Sequence, residues 1–415
     1  MGVSGDSPSM PAAVQNGNHT DDVVRTKILL LGLRRSGKTS ITQVIFEDLP
    51  PKQAFYLERT TRITKHTFDT VIPLEIWDCP GDISLEMLGA SLSQFASLIF
   101  VIDIQDLLQQ PVARLVDFVV AAYHENQNLN LEVFVHKADV LSDEYKLDNF
   151  REIQQRVIDE LLYISPDYEQ MPMNFYLTSI YDHSLHDAFS RVLHKSIESL
   201  PYLEDLLNVF CANSQSSKAF LFDIRSRLYV ATDASPVDPP THNLCNDYLQ
   251  MLNAFGPLYK SVSASPARHR IPSPPSTGHS PASSSPSSPR AAPRQYPASN
   301  GASTSSSASA LLPASSLFTS SASASQPSSH APSIRRHTKP LFYPSASTSL
   351  SPSSAGAGTT LTYHLITPQL GLLALIPTTV FEMRHGLVEY NVVFFREGVQ
   401  EICEVEEDVR KVGDR

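Results

Sequence analysis

Cysteine is scarce, apolar runs are short, and acidic side chains are missing from one stretch of almost a hundred residues. The four cysteines, Cys79, Cys211, Cys245 and Cys403, lie far apart in 415 residues and make no metal-ligand pair. That spacing suits a reducing compartment with no disulfide framework. No apolar run approaches the ~20 residues of a membrane-spanning helix, and signal-peptide features are absent. The N-terminus, Met1-Gly2-Val3-Ser4-Gly5-Asp6, begins like a myristoylation signal but has Asp6 where Ser or Thr is wanted. The last residues, Lys411 to Arg415, hold no prenylation cysteine. The expectation is a cytoplasmic chain without direct membrane insertion, which needs another protein to tether it to any membrane.

Between Ser261 and Gly358 there is no Asp or Glu, but there are seven Lys or Arg residues. The formal charge of the whole chain is −11, so the remainder carries −18. An acidic body with a basic arm argues against general nucleic-acid binding. Roughly half of residues 261–358 are Ser or Pro, a composition that buries too little apolar surface to order itself. A disordered insertion is expected there, and residues 1–22, small and polar, are expected to be disordered too.

From Val23 to about Leu200 apolar runs alternate with helical periods, the pattern of an α/β domain with a mixed, mostly parallel sheet. The expected strands are Lys27–Leu31, Ser97–Asp103, Leu131–His136 and Asn174–Thr178, with Ile63–Phe68 and Val71–Trp77 as an antiparallel edge pair. Expected helices include Val112–Tyr123, Asn149–Tyr163 and Ser184–Leu200. A second pattern, over 201–260 and 359–405, reads as one α+β domain split by the insertion. Its expected parts are helices at Leu203–Cys211, Leu244–Leu258 and Leu387–Glu404, and strands at Ala219–Asp223, Arg227–Ala231, Leu361–Ile366 and Leu370–Ile376. Residues 406–415 are left as a tail.

The chemistry begins at Gly32-Leu-Arg-Arg-Ser-Gly37-Lys38-Thr39, which fits the phosphate-binding loop G-x-x-x-x-G-K-[ST]. An apolar strand precedes it, and Ile41, Val44 and Ile45 at helical spacing follow it. The glycines let the backbone from Arg34 and Arg35 through Ser36, Gly37 and Ser40 wrap a phosphate at the positive end of a helix. Lys38 would reach the β- and γ-phosphates, and the Thr39 hydroxyl would hold magnesium.

Downstream, a strand ends in Trp77-Asp78-Cys79-Pro80-Gly81. Asp78 there would hold the magnesium ion through its water, and the Gly81 amide would donate to the γ-phosphate. Between these two stretches, Thr60 or Thr61 can bind magnesium and the γ-phosphate in a loop that orders with GTP and loosens after hydrolysis; Thr60 is preferred. His136-Lys137-Ala138-Asp139 closes another strand. A carboxylate at Asp139 accepts from both N1–H and the exocyclic amine of guanine, and the Lys137 stem packs along the base. His136 either bonds nearby backbone or is a structural histidine, since guanine-binding proteins carry Asn there. Thr178-Ser179-Ile180 can offer an amide to the guanine O6.

At these residues the chain resembles the Rag/Gtr GTPases, and within them the RagC/RagD type. The stretches that carry the resemblance include Gly32–Lys38, Val101-Ile-Asp103, His136–Asp139 and Phe175-Tyr-Leu-Thr-Ser-Ile-Tyr-Asp-His183. Lys218–Asp223, Ala231–Asp238 and Gly386–Asn391 add to it. It covers about 23–260 and 359–405. The resemblance implies a Ras-like P-loop GTPase domain followed by a roadblock-type dimerisation domain, and GTP/GDP with magnesium as ligands. It also implies a RagA/RagB-type GTPase as heterodimer partner and a vacuolar or lysosomal scaffold complex as tether. GTPase-activating and exchange factors would act on the pair, which would report amino-acid sufficiency to the target-of-rapamycin kinase complex. His136 then marks the subfamily.

One departure stands out. Asp82 follows Gly81 where a Gln usually orients the attacking water, and the stretch from Asp82 to Phe100 is a few residues shorter than in relatives. A carboxylate there predicts slow hydrolysis, with Lys38, Thr60, Gly81 and Asp82 as the residues at the reacting end. A nucleotide-binding scaffold with little hydrolysis is the second reading. A stand-alone trafficking GTPase is the third, disfavoured by the second domain and the missing lipid signals. Arg34 and Arg35 read better as solvated loop residues than as an arginine finger. Six Ser-Pro pairs, at Ser265, Ser273, Ser280, Ser285, Ser288 and Ser351, are candidate phosphorylation sites in the insertion.

Overall fold

The structure, a computed structural model, describes residues 24–256, 343–350 and 358–413. The first 23 residues, most of the Ser/Pro-rich insertion and all six Ser-Pro serines lie outside the described residues. No helix among the described residues is long and apolar enough to cross a membrane.

The first domain is a three-layer α/β/α unit. Its strands are β1 (Thr26–Gly32), β2 (Thr64–Asp69), β3 (Pro73–Asp78), β4 (Ser97–Asp103), β5 (Asn130–His136) and β6 (Met173–Leu177). They form one sheet in the order β2-β3-β1-β4-β5-β6, parallel throughout except for the β2–β3 pair at one edge. The helices are α1 (Lys38–Phe46), the single turn α2 (Leu85–Leu88), α3 (Gln109–Glu125), α4 (Asp143–Ile164) and α5 (Ser184–His194).

The run Ile28-Leu29-Leu30-Leu31 is wholly buried because β1 lies mid-sheet with helices on both faces. Successive side chains of a strand point to opposite faces. Leu29 and Leu31 therefore meet α3 and α4 residues such as Val112, Leu115, Val119 and Val157. Ile28 and Leu30 meet Ile41 and Ile45 of α1 and Phe189 and Val192 of α5. This central placement brings the C-terminal ends of β1, β3, β4, β5 and β6 to one rim, where α/β sheets bind ligands.

The second domain is a five-stranded antiparallel sheet, ordered β8-β7-β11-β10-β9. Its elements are α6 (Leu200–Ser214), β7 (Lys218–Asp223), β8 (Tyr229–Thr232), α7 (Pro239–Phe255), β9 (Ser345–Leu350), β10 (Thr359–Leu365), β11 (Leu370–Pro377) and α8 (Thr378–Gly413). Period-two alternation decides which helix each strand face meets. Leu372, Ala374 and Ile376 of β11 pack with α6 and α8, through Leu207, Phe210, Val392 and Phe395. Leu373 and Leu375, with Leu361 and Tyr363 of β10, pack on Cys245 and Leu249 of α7. The two sheets are joined by polar contacts and by Leu228, which enters the α1–α5 cluster. Tyr229 Oη donates to Asp187 at 2.6 Å, His183 pairs with Asp247 at 2.7 Å, and Arg227 pairs with Asp48 at 3.2 Å.

Three expectations need correction. The helix expected over Ser184–Leu200 is two helices, broken at Lys195–Ser199; Pro201 sits in the first turn of α6, where its missing N–H costs nothing and where it ends a preceding helix. Ser345–Leu350, placed by composition in the disordered insertion, is β9, hydrogen-bonded antiparallel to β10. It has no apolar alternation and is held through its backbone at a sheet edge, so hydropathy carries no sign of it. The last helix begins nine residues before Leu387, kinks at Arg384 (φ −126°, ψ 27°) and runs through most of the expected tail to Gly413.

Candidate functional site

The rim of the first sheet encloses a cavity of about 1010 Å³ lined by residues from each loop the sequence singled out. At its floor the phosphate loop turns between β1 and α1. Gly32 has φ +142° and Gly37 φ +105°, backbone that side-chain-bearing residues rarely adopt. A Cβ on Gly37 would stand 2.6 Å from the His136 ring, so this loop requires glycine for space as well as conformation. Lys38 opens α1, and its Nζ donates to the Gly32 and Leu33 carbonyls, each at 2.9 Å. Burial pushes its pKa below the ordinary lysine value, and the Asp78 carboxylate opposes that shift.

Side chains from the start of α1, from the loop between α1 and β2 and from the end of β3 meet above Lys38. Thr39 Oγ1 donates to Asp78 Oδ2 at 2.6 Å, while Thr60 Oγ1 lies 2.8 Å from Thr39 Oγ1 and 3.2 Å from Asp78 Oδ2. Thr61 is exposed and outside this cluster. The second carboxylate oxygen, Asp78 Oδ1, is buried without a hydrogen-bond partner among the described residues. Two hydroxyls and a carboxylate with an orphaned oxygen are hard donors of the kind magnesium takes, with water and substrate phosphates completing its shell. Among the described residues there is no group of three or more His, Cys, Asp or Glu side chains that could hold a metal ion. Burial also pushes the neighbouring Cys79 thiol up to about 12, which leaves it a packing residue.

The other end of the cavity is built on β5 and β6. His136, fully buried, sets Nδ1 2.9 Å from Thr178 Oγ1 and lays its ring against Gly37. It thereby joins β5, β6 and the phosphate loop, and it also lines the cavity. Burial pushes its pKa down to about 4, so the ring is neutral at physiological pH. Lys137, at φ +61°, sends Nζ to the Arg35 carbonyl (2.6 Å) and to Asp103 Oδ2 (2.5 Å), stretching its stem across the cavity edge. Asp139 projects into the opening and accepts from Ser179 Oγ at 2.5 Å, which fixes one carboxylate oxygen. The Ser179 amide already donates to Ser184 Oγ at 3.0 Å. Ile180 lines the cavity beside it.

The remaining expected residues are placed less centrally. Ser36 is buried under the loop, with its hydroxyl unpartnered among the described residues. Ser40 and Arg35 line the cavity. Gly81 lies against the phosphate loop so closely that a Cβ on it would stand 2.3 Å from the Arg34 amide nitrogen. Asp82 does not point into the cavity: its carboxylate, 61% exposed, pairs with Arg34 at 3.0 Å and reaches Arg59 at 4.0 Å. The hydrogen bond from Arg34 holds its pKa below the usual carboxylate value. Sequence reasoning missed Asp103 and Arg59 as members of the site. Asp103 closes β4 as Asp78 closes β3, and that repeated position was the available signal. Arg59 carried none.

A phosphate loop at the switch point of a mostly parallel sheet, with acidic residues on the neighbouring strand tips, defines a P-loop GTPase domain; an antiparallel α+β domain follows it. A family model described as the Gtr1/RagA G protein conserved region matches residues 27–249. The GTP-binding protein gtr2 of Schizosaccharomyces pombe is 46% identical over 237 residues, covering 56% of this chain and 75% of that protein. The Ras-related GTP-binding protein C of Homo sapiens is 43% identical over 247 residues, covering 57% of this chain and 61% of that protein. The GTP-binding protein gtr1 of S. pombe is 25% identical over 228 residues, covering 52% of this chain and 71% of that protein. The chain belongs to the Gtr1/RagA family of GTPases and is of the Gtr2/RagC/RagD type within it.

Proposed function

We propose that this chain is a guanine-nucleotide-dependent signalling switch with slow GTP hydrolysis. The observation that carries the reading is the meeting of Thr39, Thr60 and Asp78 over Lys38 at one end of a cavity whose other end presents Asp139. The phosphate-loop amides and Lys38 bind and orient the phosphates. Asp139, steadied by Ser179, selects guanine through its paired donors. Thr39, Thr60 and Asp78 would hold magnesium, which when bound offsets charge on the β- and γ-phosphates. Thr60 sits on a loop without regular hydrogen-bonded structure, and such a loop can separate from the rigid strand tip that carries Asp78.

Family membership supports pairing with a RagA/RagB-type GTPase, attachment through a scaffold complex at the vacuole or lysosome, and relay of amino-acid sufficiency to the target-of-rapamycin kinase complex. The second reading, a nucleotide-binding scaffold with little hydrolysis, is favoured by Asp82. Held by Arg34 and Arg59, its carboxylate is turned away from any position where it could orient an attacking water. Co-expression with a RagA/RagB-type chain tests the first reading: a stable one-to-one complex that retains guanine nucleotide and converts GTP to GDP slowly is expected. A chain that purifies alone, or retains no guanine nucleotide, contradicts it. No GTP turnover, set against measurable turnover in Asp82→Gln, selects the scaffold.

A further inference from the structure

Two residues on neighbouring loops of the cavity hold backbone that side-chain-bearing residues seldom adopt, and one ammonium group joins them. Arg35, in the phosphate loop, has φ +63°, and Lys137, just past β5, has φ +61°. Left-handed backbone at a residue other than glycine persists where its surroundings hold it, and it gathers at functional sites. Here the holding group is Lys137 Nζ, which donates to the Arg35 carbonyl at 2.6 Å and to Asp103 Oδ2 at 2.5 Å. Asp103 is itself fixed. It closes β4 beside β5 and is buried, and its other carboxylate oxygen accepts from the Gln105 amide at 3.0 Å. A buried carboxylate is costly without a charged partner, and Lys137 is its partner here. A base asks only for the Lys137 stem beside it. It does not ask for a carboxylate at the far end of that stem.

We propose that Asp103 anchors Lys137 as a bolt between the base end and the phosphate loop, and that this bolt sets how slowly the chain releases guanine nucleotide, whichever phosphate state is bound. Asp103 is a positioning residue: it acts through Lys137, which lines the cavity together with Arg35. With its ammonium held by Asp103 and by the Arg35 carbonyl, the Lys137 stem stays stretched along the cavity edge where a base would lie. The phosphate loop then cannot draw away from the base-reading segment without breaking contacts to that ammonium. Neither contact involves Thr39, Thr60, Asp78 or Gly81, the residues placed around the third phosphate and its ion, so the bolt weights GDP and GTP alike. Without the carboxylate, the partly exposed Lys137 side chain turns to solvent and releases the Arg35 carbonyl. The inference rests on the guanine-nucleotide reading of the cavity.

The test is the release rate of fluorescent GDP and of a fluorescent, non-hydrolysable GTP analogue from the full-length chain. Asp103→Asn keeps an acceptor for the Gln105 amide and removes the charge. Lys137→Met keeps an apolar stem and removes the ammonium. Each substitution is expected to speed release of both probes by about tenfold, as the loss of a charged hydrogen bond would, and to leave the ratio of the GDP rate to the GTP-analogue rate within about twofold of the unaltered protein. The double variant is expected to release no faster than the faster single variant, because either change alone opens the bolt. Melting of the nucleotide-free chain follows folding separately, and Asp103→Ser, shorter and neutral, takes the place of an Asn variant that does not fold. Unchanged release on loss of the Asp103 charge overturns the bolt, whether or not the nucleotide-free chain melts lower. So do fully multiplicative effects in the double variant, or acceleration confined to one of the two probes. An unaltered chain that binds neither probe overturns the guanine-nucleotide reading, and the bolt falls with it.

Discussion

The two ends of the nucleotide cavity are built differently. At the base end, His136, Lys137, Asp139 and Ser179 stand on or next to the tips of β5 and β6, and most of them are locked by buried or short contacts. At the phosphate end, most contacts reach across loops: Arg34, Arg59 with Thr60, and Asp82 come from three separate connections, and Thr60 meets Thr39 at the start of α1. Side chains on strand tips hold one geometry, whereas contacts between loops can be made and unmade. The lesson is a division of labour in which the base end sets what is bound and the phosphate end reports which phosphate state it is in.

The sharpest way to break the base end is Asp139→Asn. The amide loses one acceptor for guanine and presents a donor that suits the 2-oxo group of xanthine. Competition binding should show preference moving from guanine to xanthine nucleotides by on the order of a hundredfold or more, as sites built around paired hydrogen bonds do. At the phosphate end, Lys38→Ala removes a charged donor; guanine-nucleotide affinity should fall on the order of a hundredfold by calorimetry, with melting of the nucleotide-free chain little changed.

His136 links the two ends and gives a pH prediction. Its folded pKa of about 4 lies below the ordinary histidine value of 6.5. Between those values the unfolded chain binds the proton and the folded chain does not. The stabilisation is therefore complete above pH 6.5 and is lost as pH falls towards 4. His136→Asn should remove about 2 kcal/mol of the stability lost between pH 7 and pH 5, measured by denaturant unfolding at each pH. The smallest effect separates neighbours: Thr60→Ala should weaken magnesium-dependent binding of a GTP analogue by about tenfold, and Thr61→Ala should leave it within about twofold, since only Thr60 reaches Asp78.

Much of this site was legible before any coordinates. Buried central strands read clearly because continuous apolar runs such as Ile28–Leu31 have no other explanation near a glycine loop, and β4 has the bounds expected for it, Ser97–Asp103. Residues at strand tips inherited that clarity, as with Asp78 and Asp139. What resisted were features set by three-dimensional proximity. The direction of Asp82 depends on two arginines, one 48 residues upstream in the phosphate loop. The choice between Thr60 and Thr61 depends on which hydroxyl a loop turns inward. Strand β9 forms because β10 offers it a ladder, with a Ser- and Thr-rich sequence that carries no hydrophobic sign.

The division between the two ends is tested most directly by amide hydrogen exchange on the full-length chain, loaded in turn with GDP and with a non-hydrolysable GTP analogue. Exchange over residues 56–62 and 80–89 should differ between the two loads, while residues 135–139 and 177–180 should exchange alike. Equal exchange at the phosphate end, or a change at the base end as large as the change there, would contradict the account.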